Sequence, residues 1–251
     1  MIILEGPGAD EAAAHRLAHQ LQYDFQEIDL SHGAIAWALS THPRVVYYGS
    51  SLFTPDPHDR AILSMMLLAR GAYRAWSPAD ATIDVIDFIP TMASFPPEER
   101  ELADYRRARD LADAYRGAFP DLPGIGNLRP TYALIGETPN PRSLTESYAV
   151  PFSVGPAGRW LTSAMYPLRL VDKSYITNAV KHDGDRRTVR EELRWLRPKL
   201  VIALGKVASS VLSEGGIIHH TIAHPQYARR FQHSQSYANV IKEVMEYGDL
   251  S

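Results

Sequence analysis

Two apolar runs in the second half of this 251-residue chain each end abruptly on a polar motif, and this constrains the fold more than any other feature. Tyr132-Ala133-Leu134-Ile135 leads into Gly136-Glu137-Thr138-Pro139-Asn140. Far downstream, Ile222-Ala223 leads into His224-Pro225-Gln226-Tyr227. A short apolar run bounded by turn residues reads as a strand buried on both faces. Such strands belong to parallel sheets covered by helices. In open sheets of that kind, ligands gather at the carboxyl edge of the strands. Both polar motifs fall at that edge.

The remaining chain supports a sheet of this type. In the second half the pattern predicts a helix over 156–165, a strand over 174–180 and a basic helix over 186–196, halted before Pro198. A strand over 199–205, a helix over 206–213, a strand over 217–223 and a helix over about 235–247 follow. The first half reads as strands at 2–5, 45–48 and 82–89 with helices at 10–21, 58–70 and 97–118. Met65-Met66 reads as ordinary core. Strands alternating with helices imply βαβ units. The expected fold class is α/β, two parallel-sheet βα layers, the second a three-layer α/β/α domain. Pro and Gly crowd into residues 119–130, the best linker, which gives domains 1–127 and 128–251.

Charge changes at the same place. Residues 1–127 hold ten Arg, no Lys and 18 acidic residues, a net −8. The other 16 basic and 11 acidic side chains leave residues 128–251 at +5. The second half is therefore the one suited to a polyanion. A protein-partner surface is the role left to the acidic first half.

Several chemistries are excluded or disfavoured. With no cysteine there are no disulfides, no thiolate zinc site and no cysteine-held iron–sulfur cluster. His15/His19 and His220/His224 have His-x-x-x-His spacing but lack the Glu of a zinc-binding His-Glu-x-x-His, so no metal and no cofactor are expected. The start lacks the basic flank and long apolar run of a signal peptide, and no stretch approaches a membrane span. A cytoplasmic protein with no membrane partner is the expectation.

Taken singly, a Phe after Pro is ordinary core and an Asn after a strand is an ordinary turn residue. Five segments in order are more specific. They are Gly136–Asn140; Pro151-Phe152-Ser153 with Gly155–Leu161; Tyr175-Ile176-Thr177-Asn178-Ala179-Val180-Lys181; Pro198–Gly205 with Ala208; and His224-Pro225. Together they resemble the uracil-DNA glycosylase superfamily, and its iron–sulfur branch most closely, although the four cysteines of that branch are missing.

The resemblance implies a DNA glycosylase whose partner is DNA and which cleaves an N-glycosidic bond with water alone. The target base must be flipped out of the duplex, at about a few kcal/mol in lost stacking. Gly136, Phe152 and Asn178 would bind it: Phe152 as a stacking platform, Asn178 as amide donor and acceptor to the pyrimidine edge. His224 would donate to O2 as the base leaves with negative charge. Glu137, Thr138 and Asn140 belong to the water-holding loop. Asn140 replaces the family's final Gly, Ser143 stands where an acidic residue is common, and Glu146 lies nearby. Arg159, Lys181, Gln226, Tyr227, Arg229 and Arg230 are the expected DNA contacts. Backbone N–H groups around Pro225-Gln226-Tyr227 would grip phosphate, and Tyr227 or Phe231 would fill the gap left by the flipped base. The alternative is a protein that binds a modified base or nucleotide in the same pocket without catalysis.

In the first half, Met1–Pro7 resembles the opening of thymidylate-kinase-like P-loop proteins. The positions for Gly-Lys-Ser/Thr read Glu11-Ala12-Ala13, so phosphate, charge and magnesium contacts are all lost. A P-loop-like fold that no longer binds ATP and an unrelated α/β domain are the two readings of this half.

Overall fold

The structure is a computed structural model and describes residues 2–5, 45–48, 52–53, 57–69, 82–83, 99–121, 123–140, 150–231 and 234–248. The expected helix over 10–21, the His15/His19 pair, Glu11-Ala12-Ala13, Ser143 and Glu146 lie outside the described residues. The chain divides into two units. The first is Met1–Asp121 with Thr145–Ser147, and the second is Leu122–Leu144 with Tyr148–Ser251.

In the first unit, β1 (Ile2–Glu5) pairs in parallel with β2 (Val45–Tyr48). Strand β3 (Leu52–Phe53) pairs antiparallel with β4 (Thr82–Ile83), a departure from a purely parallel arrangement. Helix α1 (Pro57–Ala69) buries Ala61, Ile62, Met65, Met66 and Ala69. Their spacing at three and four residues gives the helix one apolar stripe, which places both methionines in core. Helix α2 (Glu99–Ala118) closes the unit.

The second unit is a five-stranded sheet in the order β5-β7-β6-β8-β9. Its strands are β5 (Gly124–Gly126), β6 (Tyr132–Gly136), β7 (Ser174–Asn178), β8 (Leu200–Leu204) and β9 (His220–Ile222). β6, β7, β8 and β9 run parallel, and β5 is antiparallel to β7. Every residue of β6, β7 and β8 is buried, as expected of strands covered on both faces. β5 lies inside the stretch read from sequence as a linker. Gly-Ile-Gly has no strand pattern of its own, and pairing with β7 supplies what its sequence lacks.

Helices α3 (Pro156–Met165), α4 (Thr188–Leu196) and α5 (Lys206–Glu214) connect these strands, followed by α6 (Pro225–Phe231) and α7 (Ser234–Gly248). Ala133 and Ile135 of β6 and Val201 and Ala203 of β8 share one core with Val189 and Leu193 of α4 and Ala208, Val211 and Leu212 of α5. Period-2 alternation turns Leu134 and Gly136 to the opposite face. There α7 meets the sheet: a methyl on Gly248 would stand 2.6 Å from Leu200 Cδ1. α3 packs against α6 and α7. The unit is thus a three-layer α/β/α domain. Among the described residues no helix is long and apolar enough to cross a membrane.

Candidate active site

The carboxyl ends of the four parallel strands deliver Gly136 (β6), Asn178 (β7), Gly205 (after β8) and His224 (after β9) to one sheet edge. Gly136 and Asn178 are register partners, and Ala179 N–H and Val180 N–H donate to the carbonyls of Gly136 (2.9 Å) and Glu137 (3.0 Å). A methyl on Gly136 would stand 2.5 Å from Phe152 Cε2 and 2.6 Å from Asn178 Oδ1. Only glycine lets the ring and the amide close over this strand end. Asn178 is 4% exposed.

Phe152 sits in a turn in which Ser153 Oγ donates to the Val150 carbonyl (3.0 Å). Its φ of 57° lies in the left-handed region, where a non-glycine residue costs about 1–3 kcal/mol. Strain of this kind persists where surrounding structure demands one ring position. That ring lies 6.1 Å from the His224 ring, centroid to centroid, with the planes 32° apart.

His224 is half-buried and held on both sides. Before it, the Tyr237 hydroxyl of α7 donates to the Ala223 carbonyl (2.8 Å). After it, Tyr227 N–H and Ala228 N–H donate to its carbonyl, each at 2.9 Å. Gln226 N–H donates to His224 Nδ1 at 3.2 Å. An Nδ1 that accepts leaves the proton of a neutral imidazole on Nε2. Burial pushes the His224 pKa below its usual value, and the Glu137 carboxylate opposes this only in part. The geometry therefore provides a neutral imidazole with an Nε2–H donor.

Glu137 is half-buried, and its carboxylate lies against Gly205. A methyl at Gly205 would stand 2.5 Å from Glu137 Oε1 and 3.1 Å from His224 Cβ. Gly205 has φ 105° and is the N-cap of α5, with no side chain of its own to cap it. A carboxylate is favourable at that helix end. Thr138 and Asn140 are exposed, and Asn140 Nδ2 comes within 3.6 Å of a Cβ placed on Gly155.

The expected DNA contacts divide. Arg159 on α3 and Gln226, Tyr227, Arg229 and Arg230 on α6 are exposed. Lys181 is not, which corrects its place among them. It is buried, its Nζ donating to Thr177 Oγ1 (2.6 Å) and pairing with the Glu192 carboxylate of α4. Glu192 is 0% exposed and also accepts from the Tyr175 hydroxyl. Thr177 Oγ1 donates to the Pro123 carbonyl (2.9 Å) and so ties β7 to the approach of β5. Burial lowers the Lys181 pKa against the upward pull of Glu192. The expected phosphate-gripping loop is also corrected. Residues 225–231 are helical, Pro225 has no N–H, and those of Gln226 and Tyr227 are spent on His224.

Two contributors escaped sequence reasoning, Glu192 and Tyr237, while Gly205 was read only as the end of a strand. Glu192 had a signal, because it falls on the inward stripe Val189, Leu193, Leu196 of α4. Tyr237 had none beyond its apolar neighbours Ala238 and Ile241. The donor set does not fit an iron–sulfur cluster, since the chain has no cysteine. Among the described residues no group of three His, Asp or Glu could hold a metal ion.

Residues 123–246 match the family model of the uracil DNA glycosylase superfamily. No curated protein matches the chain. The matched span covers the whole five-stranded sheet.

Proposed function

We propose that the second unit hydrolyses the N-glycosidic bond of uracil, or of a modified pyrimidine, flipped out of DNA. The observation that carries this reading is the meeting of a flat ring (Phe152), a buried amide (Asn178) and a neutral imidazole (His224) at one sheet edge. Stacking on Phe152 would contribute about 1–3 kcal/mol. The Asn178 amide would donate to O4 and accept from N3–H of the base. As the C1′–N1 bond breaks, its electron pair leaves with the base and collects on O2. The Nε2–H of His224 is preorganised to stabilise that charge. Water held by the 136–140 loop, with Thr138 and Asn140 as polar groups, forms the new C1′–O bond and releases a proton. Glu137 is assigned to holding the His224 and Gly205 side of the loop. Arg159, Gln226, Tyr227, Arg229 and Arg230 face the DNA. Residues 1–127, net −8, are given no step and are proposed as a separate α/β domain with a protein-binding surface.

One observation favours a base-binding protein without catalysis. Within the described part of the water loop, the single carboxylate, Glu137, is turned against Gly205. A panel of labelled oligonucleotides carrying uracil, modified pyrimidines or thymine, followed by alkali, separates the two readings. Abasic product at one base supports the glycosylase, and His224→Ala is then expected to lower the rate roughly a hundred- to a thousandfold. Saturable binding with no abasic product supports the silent reader. A fully active His224→Ala protein would remove the role given to that imidazole.

A further inference from the structure

Helix α6 presents two large rings to solvent where the pocket needs none. Tyr227 is 59% exposed and Phe231 68%. They are four residues apart, so they share a face, and their ring centroids lie 4.6 Å apart with the planes tilted by 43°. Arg229 and Arg230 stand exposed on the same helix, which has no acidic residue. Among the described residues neither arginine has an ion-pair partner. The other side of the helix, Pro225 and Ala228, is buried, and two N–H groups anchor it to the His224 carbonyl. The rings are therefore rigidly tied to the residue placed at the base.

We infer that α6 is a stacking platform for unpaired bases flanking the flipped nucleotide, making single-stranded or locally melted DNA the preferred form of substrate. This rests on the proposed DNA substrate. Two aromatic faces and two exposed cations on one helix fit a strand whose bases and phosphates are both exposed. Base–aromatic stacking accepts any base, and the arginines supply the phosphate contacts. The ring spacing argues against a wedge in an intact duplex. One base step rises about 3.4 Å, so the gap left by one flipped base admits one ring. Two rings in contact at 4.6 Å cannot both enter it, but their outer faces remain open to bases of a flexible strand. A base already unpaired also needs least energy to flip.

The test is fluorescence anisotropy with the full chain and oligonucleotides carrying one tetrahydrofuran abasic analogue, single-stranded or duplex. The wild type is expected to bind the single strand more tightly. Tyr227→Leu and Phe231→Leu, which keep apolar bulk but lose the flat face, should each weaken that binding roughly five- to a hundredfold. Tyr227→Phe should retain it. The Arg229→Gln, Arg230→Gln double variant should flatten the slope of log affinity against log salt by about 1.4, or 0.7 per phosphate contact. The inference is overturned if both Leu variants bind single strands like the wild type. It is equally overturned if duplex is preferred and the variants lose duplex binding alone. Excision assays on the same proteins separate the two proposals. Binding losses without abasic product from any base would leave the platform standing and retire the glycosylase. Normal excision with unaltered binding by the Leu variants would retire only the platform.

Discussion

Lys181 and Arg230 each follow a polar motif at the carboxyl edge of the same sheet, and they end in opposite environments. Lys181 comes three residues after Asn178 and folds into the interior, where Thr177 and Glu192 meet its charge and Tyr175 donates to the same Glu192 carboxylate. Arg230 comes six residues after His224 and stays in water beside Tyr227 and Phe231. The β7 end positions a buried amide; an interior ion pair joins Lys181 to α4, and the Thr177 hydroxyl ties β7 to Pro123 ahead of β5. The β9 end positions an imidazole through backbone bonds and turns its cations outward. A basic residue beside a motif therefore says little about DNA until the facing of its side chain is known.

Removing each charge without removing its bulk breaks or sharpens this contrast. Lys181→Met would leave the Glu192 carboxylate buried and unpaired, and the unfolding free energy should fall by about 3–5 kcal/mol in a urea titration. Arg230→Met should leave the unfolding midpoint unchanged while weakening DNA binding. A double Lys181→Met, Glu192→Met protein should recover most of the lost stability, because apolar packing can replace a buried pair. A Lys181→Met protein as stable as the wild type would end the distinction between the two regions.

A smaller effect is expected on the β9 side. Tyr237→Phe deletes the hydroxyl that donates to the Ala223 carbonyl and should lower stability by about 0.5–1.5 kcal/mol. If that bond also positions His224, excision should slow while affinity for abasic DNA holds. An unchanged rate would confine Tyr237 to packing.

The smallest effect is in the pH dependence. Burial holds the His224 pKa below its usual value, so the folded protein takes up this proton less readily than the unfolded chain. The linked stability is complete above the unfolded value of about 6.5 and is lost as pH falls through the lower folded value. Below that range Nδ1 also can no longer accept from Gln226 N–H. The wild type should therefore lose stability more steeply than His224→Gln as the pH drops below about 6.5. Superimposable pH profiles would show that the burial of this ring is energetically idle.

Much of this was legible in the chain. The strands of the second unit announce themselves as apolar runs ending on glycine or a polar residue, because a strand covered on both faces tolerates little else. The helices between them follow from their stripes. Two elements were not legible. Seven residues carry too little period to reveal α6, and its opening Pro225 reads equally as loop or first helical turn. Strand β5 is Gly-Ile-Gly within a Pro- and Gly-rich stretch, and only its ladder with β7 makes it a strand.

By itself the amino-acid order determined the α/β class, the strand ends at Gly136, Asn178 and His224, and the absence of thiol chemistry, because these depend on local pattern and composition. Tertiary structure alone decided that Lys181 is interior, that Glu137 lies against Gly205 beside His224, and that the α6 rings face water. Each of these depends on which side of an element meets a neighbour distant in sequence, and local pattern carries no information about that neighbour.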